Sequence, residues 1–186
     1  MDIKEMFIEN PIIAAIRNDH DLKIALESTA SFVFVLYGTV MNISHICEDL
    51  KKNGKIVFVH VDLIEGLKGD HSGLEFIKKY ADPFGIITTK STNVKHGRNL
   101  DLYVIQRLFI VDSLSFKTGI KNIEEAKPNA IEVMPGIAGK IIEKMQQRIN
   151  QPIIAGGLIN TKDDVIEALK SGALAISTTT HNLWNL

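Results

Sequence analysis

The 186-residue chain predicts an α/β fold of one kind, a compact (β/α)8 barrel of the TIM type with a shortened final helix. Three observations lead there. Eight short apolar segments of β-branched character recur along the chain, each followed by a polar turn and a stretch with helical spacing. Most of these segments are apolar at consecutive rather than alternate positions, as parallel strands covered on both faces must be. Eight consecutive βα units close a barrel, whereas an open doubly wound sheet usually stops at about five to seven strands.

The expected strands are residues 12–16, 32–36, 56–61, 85–88, 108–111, 130–134, 152–155 and 173–177. Their spacing leaves room after each for one short loop and a helix of about three turns. Ahead of the first strand, residues 4–10 are placed to plug the bottom of the barrel. Between the sixth and seventh strands, Ile137, Ile141, Ile142, Met145 and Ile149 recur at helical spacing, and Lys140, Lys144 and Arg148 form a solvent-facing row. Before the eighth strand, Thr161 and Asp164 make a capping pair ahead of Val165, Ile166, Ala168 and Leu169, and Gly172 ends that helix. After it only Thr178 to Leu186 remain, so the last helix is stunted and Leu183, Trp184 and Leu186 are expected to pack over the gap. Strands left bare there would favour self-association into a homo-oligomer.

Composition narrows the functional classes. With 21 basic against 22 acidic residues, no global positive field advertises a nucleic-acid partner. The longest apolar runs, residues 12–16 and 32–37, fall far short of the roughly 18 to 20 residues that cross a bilayer, and the N-terminus lacks a signal peptide's basic-then-apolar order. The expectation is a cytoplasmic protein with no membrane partner, a single domain over residues 1–186. The one cysteine, Cys47, has no partner for a disulfide or zinc knuckle and reads as core filling. His20, His45, His60, His71, His96 and His181 show no metal-ligand spacing, so no metal site is expected, and His60 reads as a satisfied core histidine. There is no P-loop, no GxGxxG after a strand and no GxSxG elbow.

In a barrel of this kind function sits at the C-terminal ends of the strands, and phosphates often bind at the loops after strands seven and eight. The seventh strand is followed by Gly156 and Gly157, whose backbone amides can approach an anion without a Cβ in the way. The eighth ends in Ser177, Thr178 and Thr179, hydroxyl donors where a short helix would aim its positive end at the same anion. Together they make a candidate phosphate cradle. Arg17, Asp62, Lys90, Asp112 and Glu132 fall at other strand ends, where they form either a structural ion-pair ring or a ligand site. Cations beside carboxylate acceptors suit a small phosphorylated polyol. The same mouth equally suits an enzyme, with Asp62 or Glu132 as general base and Lys90 as electrophile or Schiff-base nucleophile.

Several segments, in order, carry a family resemblance: PIIAAIR (11–17), VHVDLIEGL (59–67), GIITTK (85–90), QRLFIVDS (106–113), IEVMPG (131–136), AGGLI (155–159) and IST (176–178) with Leu183 and Trp184. Almost end to end, the chain resembles the glycerol uptake operon antiterminators, the glycerol-3-phosphate-responsive antiterminators. That resemblance implies a barrel without known enzymatic activity or cofactor, which senses glycerol 3-phosphate as effector and binds the leader region of an mRNA. Charge alone does not point to RNA; Lys95, His96 and Arg98, or the row Lys140, Lys144 and Arg148, are the candidate contacts. The Thr178 to Thr180 run stands where a more serine-rich loop is expected. The alternatives are a phosphosugar isomerase or lyase using the same mouth, and a barrel that serves only as an interaction scaffold.

Overall fold

A strand that is apolar on both faces needs cover on both, and this chain provides it by closing the sheet on itself. The computed structural model describes residues 3–186, so the first two residues of the expected domain lie outside it. Its strands are β1 (Ile12–Ile16), β2 (Phe32–Val35), β3 (Ile56–His60), β4 (Gly85–Thr88), β5 (Tyr103–Phe109), β6 (Ala130–Met134), β7 (Ile153–Gly156) and β8 (Ala175–Thr178). They pair in parallel in chain order, and β8 returns to β1 through Ile12↔Ile176, closing the barrel. A helix, α1 (Ile3–Glu9), precedes β1. The helices α2 (Asp19–Glu27), α3 (Ile43–Lys52), α4 (His71–Phe76), α5 (Ser91–Asn99), α6 (Ser113–Ala126), α7 (Gly139–Gln146) and α8 (Lys162–Lys170) each follow one of the first seven strands. None of the described helices is long and apolar enough to cross a membrane.

Alternation along each strand sends successive side chains to opposite faces and so divides the apolar residues into two layers. Inward-facing Ile13, Phe32, Phe34, Phe58, Ile87, Ile105, Ile154 and Ala175 fill the lower barrel, and α1 adds Ile3 and Phe7 from below. The expected plug is therefore present, its Phe7 ring 5.1 Å from Phe32. Gly85 faces the Phe58 ring, where a Cβ would collide with the ring and with the Tyr103 carbonyl. Outward-facing residues of the same strands pack under the helices with Leu50, Cys47, Leu74, Val94 and Ile142. Burial pushes the Cys47 thiol up to about 12, as befits a core residue. Thr161 and Asp164 form the expected capping box on α8, and Gly172 follows that helix at φ +104°.

The fifth strand departs from expectation. It runs Tyr103–Phe109 rather than 108–111, because the buried polar pair Gln106 and Arg107 interrupts the apolar run that marked its neighbours. Asp112 consequently lies beyond the strand, as the N-cap of α6 in a capping box with Ser115. The last helix is shortened further than expected, to a 3-10 turn at His181–Leu183. Trp184 takes its place: the indole is fully buried and donates from Nε1 to the Thr178 carbonyl at 2.8 Å. Thr29 holds the tail from the other side, through Asn185 Oδ1 at 2.9 Å and the Trp184 carbonyl at 3.3 Å. The seam is covered, which removes the bare strands on which self-association there depended. Leu186 takes no part in the cover and stays 53% exposed.

Trp184→Ala should lower the unfolding free energy by about 3–5 kcal/mol, the usual cost of deleting a buried aromatic. A urea titration followed by far-UV circular dichroism measures it, and a loss under about 1 kcal/mol would show that the tail does not seal the barrel.

Candidate functional site

At the C-terminal end of the barrel the inward positions turn polar. Arg107 on β5, Glu132 on β6 and Ser177 on β8 meet inside it, and all three are buried. Arg107 Nε donates to Glu132 Oε2 at 2.6 Å, and the Ser177 hydroxyl donates to Glu132 Oε1. Both carboxylate oxygens are thus occupied in a place where an unpaired charge would be severely destabilising. Gly156 on β7 faces the same group; a Cβ there would collide with the Glu132 carboxylate and the Ser177 hydroxyl.

Above this pair lies a cavity of about 80 Å³ lined by Arg107, Met134, Ala15 and Leu36 and by the loops Gly157 to Asn160 and Ser177 to Thr179. Gly157 and Leu158 both have positive φ, +77° and +61°, which turns the backbone sharply over the cavity. The amides of Gly157 and Thr179, and the Thr179 hydroxyl, have no acceptor among the described residues. Thr178 instead ties the two loops together, its hydroxyl donating to the Ile159 carbonyl at 2.7 Å and accepting from the Thr180 amide at 3.0 Å. Ser177 likewise has its proton committed to Glu132. The unpartnered main-chain donors among the lining residues therefore belong to Gly157, Leu158, Ile159 and Thr179, with the Thr179 hydroxyl beside them and the positive charge of Arg107 behind. The 3-10 turn after β8 is too short to supply the helix end expected there.

The structure brings together Gly157, Ser177, Thr178 and Thr179 around the cavity, with Gly156 and Glu132 directly beneath. It does not bring the remaining expected residues there. Asp62 sits in a 3-10 turn after β3, where it accepts from the Thr89 amide at 2.7 Å and from the hydroxyls of Thr88 and Thr89. Lys90 caps the start of α5, 54% exposed, with its Nζ 3.9 Å from Asp62. Arg17 is 62% exposed and 4.0 Å from Asp21, and Asp112 is engaged with the Ser115 amide at 2.7 Å. Arg17 and Lys90 thus lie beside the carboxylates of Asp21 and Asp62, and Asp112 caps a helix. Arg107 was not among the expected site residues; the signal that could have found it is the Gln106–Arg107 pair inside an otherwise apolar strand.

His60, at the C-terminal end of β3, is a core residue but an unsatisfied one, its buried Nδ1 without a partner. Burial, helped by the charge of Arg107 and opposed by Asp62, pushes its pKa down from 6.5 to about 4. Among the described residues no group of three or more His, Cys, Asp or Glu is placed to hold a metal ion.

Comparison with known proteins gives a consistent set of relatives. The family model described as glycerol-3-phosphate responsive antiterminator matches residues 12–184. The uncharacterized protein YgcP of Escherichia coli (strain K12) is 38% identical over 186 residues, covering 100% of this chain and 97% of that one. The crystal structure of the glycerol uptake operon antiterminator regulatory protein from Listeria monocytogenes superposes with a TM-score of 0.90 at 34% identity, covering 93% of this chain and 94% of that one. A glycerol uptake operon antiterminator-related protein from Thermotoga maritima gives 0.84 at 32% identity, covering 94% and 98%. The N-acetylmannosamine-6-phosphate 2-epimerase from Clostridium perfringens shares the fold alone, with a TM-score of 0.74 at 13% identity over 98% of this chain and 93% of that one.

Two outcomes follow from the buried groups. Arg107→Met strands the Glu132 carboxylate and should cost about 3–5 kcal/mol, while the double variant Arg107→Met/Glu132→Leu recovers most of it; a double-variant loss equal to the sum of the two single losses would mean that the pair is not coupled. For His60 the folded pKa lies below the unfolded value, so between pH 6.5 and 4 the unfolded chain binds more protons and stability falls on acidification. His60→Gln removes that penalty and should gain about 3 kcal/mol relative to the parent between pH 7 and pH 4; parallel pH curves would refute the assignment.

Proposed function

The chain belongs to the family of glycerol-3-phosphate responsive antiterminators, and from that membership we propose that it is a cytoplasmic regulator that binds glycerol 3-phosphate in the barrel mouth and an mRNA leader on its surface. The observation that carries the effector reading is the cavity itself: unpartnered donors on two loops face a space in which Arg107 is the one ionisable side chain. Phosphate oxygens are acceptors only, so they suit the Gly157 and Thr179 amides, the Thr179 hydroxyl and the Arg107 guanidinium. Ser177 and Thr178, with Gly156 beneath, hold the loops that present those donors. No cofactor is required. Carboxylate acceptors for the glycerol hydroxyls would come from Asp62 and Glu132 only after rearrangement, since both are engaged within the chain.

The competing reading is an isomerase or lyase acting on a small phosphosugar. It needs an acid–base group or a nucleophilic lysine against the substrate. Lys90 and Asp62 are not among the residues lining the cavity, and Glu132 accepts two hydrogen bonds beneath it, so the geometry favours binding over turnover.

Isothermal calorimetry with glycerol 3-phosphate, glycerol and inorganic phosphate tests the effector assignment. The phosphorylated polyol should bind, and glycerol alone should not. Thr179→Val should weaken binding roughly 10- to 100-fold, the worth of a hydrogen bond to a charged group. Gly157→Val should weaken it at least as far, since the position has positive φ. Undiminished affinity in both variants would remove the cavity from consideration.

A further inference from the structure

A chain of net charge −1 offers a polyanion no global attraction, so a nucleic acid must find a local set of unneutralised cations. Many of the basic side chains are engaged. Arg98 donates to the Lys127 carbonyl at 2.8 Å, and His96 packs edge-on against His71. At the bottom of the barrel Lys51 and Lys55 donate to main-chain carbonyls, and Lys78 pairs with Asp82. Three cations that are not engaged converge on one feature, a groove of about 450 Å³ between α6 and α7 lined by Lys117, Lys144 and Arg148. None of the three is within 4.0 Å of a carboxylate among the described residues.

The acidic residue lining the groove is Asp112, and its carboxylate already accepts from the Ser115 amide. The walls include Val111, 82% exposed, and half-buried Phe116. Cations around an exposed apolar surface complement a single-stranded polyanion, whose phosphates meet the charges while its unstacked bases lie against the apolar wall. A duplex would offer the groove only its backbone.

The groove is also tied to the cavity by the turn that joins β6 to α7. Met134 lines the cavity, and its carbonyl accepts from the amide of Ile110 in the groove wall at 2.9 Å. Two residues on, the Gly136 amide donates to the carbonyls of Gly156 at 2.6 Å and Gly157 at 3.1 Å. A Cβ at Gly136 would lie 2.8 Å from the Gly156 nitrogen, so the two backbones are in contact. A ligand seated against Gly157 and Met134 thus bears on both walls of the groove.

We propose that the α6–α7 groove is the RNA seat, with Lys117, Lys144 and Arg148 on phosphates and bases against Val111 and Phe116, and that effector occupancy stabilises it through the Met134 to Gly136 turn. This assignment rests on the antiterminator reading above. The test is a fluorescence-anisotropy titration of a labelled leader transcript from a glycerol-use operon, at saturating glycerol 3-phosphate and across a salt series. The triple variant Lys117→Gln/Lys144→Gln/Arg148→Gln should raise Kd on the order of 100-fold. It should also flatten the slope of log K against log salt by about 2, three contacts at about 0.7 each. Calorimetry should show glycerol 3-phosphate binding unchanged in the same variant. A control triple, Lys23→Gln/Lys79→Gln/Lys170→Gln, removes equal charge elsewhere and should leave the slope as it was.

Equal loss in both triples would assign the effect to net charge and overturn the proposal. If the parent binds RNA and the groove variant binds it with the same slope, the seat lies elsewhere while the antiterminator reading stands. If the parent binds no RNA although it binds glycerol 3-phosphate, that reading fails and this proposal with it. A parent dimer that the groove triple dissociates in sedimentation, with RNA affinity unchanged, would assign the groove to a second copy of the chain.

Discussion

The structure is organised around one buried charge pair. Glu132 and Arg107 stand on adjacent strands inside a closed barrel, away from water, and each is tolerable there only because the other is present. The pair sets what can surround it. Ser177 on β8 must direct its hydroxyl at the second carboxylate oxygen, and Gly156 on β7 must lack a side chain, because the carboxylate occupies the space a Cβ would need. Four strands are thereby committed at one level of the barrel. With the interior below filled by Phe32, Phe34, Phe58 and the α1 plug, space remains only above the pair, and the loops after β7 and β8 close over it.

Parity along the strands decides which polar residues reach that space. Arg107 and Glu132 occupy inward positions, as Ile105 and Ala130 do two residues earlier, whereas Gln106 and Thr88 occupy the alternate positions of their strands. Thr88 accordingly joins Asp62 and Asn93 in a polar cluster beside α5. A shift of one residue in any strand would exchange the two sets. The barrel mouth therefore holds two polar systems of different character. The outer one satisfies loop and helix ends, and the inner one fixes a charge beneath a cavity.

This parity explains what was legible in the sequence and what was not. The repeating apolar segments announce eight strands and a barrel, because burial on both faces leaves a compositional mark. The Gly156–Gly157 pair and the hydroxyls after β8 mark the loops that close over the cavity, because backbone access and hydrogen-bond donors are written in residue type. Charged groups near strand ends do not say whether they point inward or sideways. Arg17, Lys90, Asp62 and Asp112 look alike in sequence, yet none of them lines the cavity; each is engaged by a neighbouring turn or helix start. Arg107 was hidden by the opposite effect: a polar residue in mid-strand breaks the apolar signal by which strands are found. Trp184 shows a third case, in which a missing helix is replaced by one side chain, and chain length alone reveals that something must cover the gap.

A site above a buried charge pair starts from an ordered floor, with both Glu132 oxygens engaged by Arg107 and Ser177. Arg107 is held by Glu132, so on the proposed reading a ligand phosphate would meet a guanidinium already oriented, and the freedom to respond would belong to the loops above, where Gly157 and Leu158 sit in strained or permissive backbone. The loop after β7 is bonded to Gly136, in the turn that leads into α7. Holding it in one arrangement restricts that turn, and any partner that prefers the restricted arrangement binds more tightly by the factor the ligand supplies. Linkage makes the coupling reciprocal: the partner must tighten the ligand by the same factor. A ligand that contacted only the rigid floor would bind both arrangements equally and transmit nothing, however high its affinity. On the proposed reading, regulation from this mouth would depend on the ligand touching Gly157 and Met134 as well as Arg107.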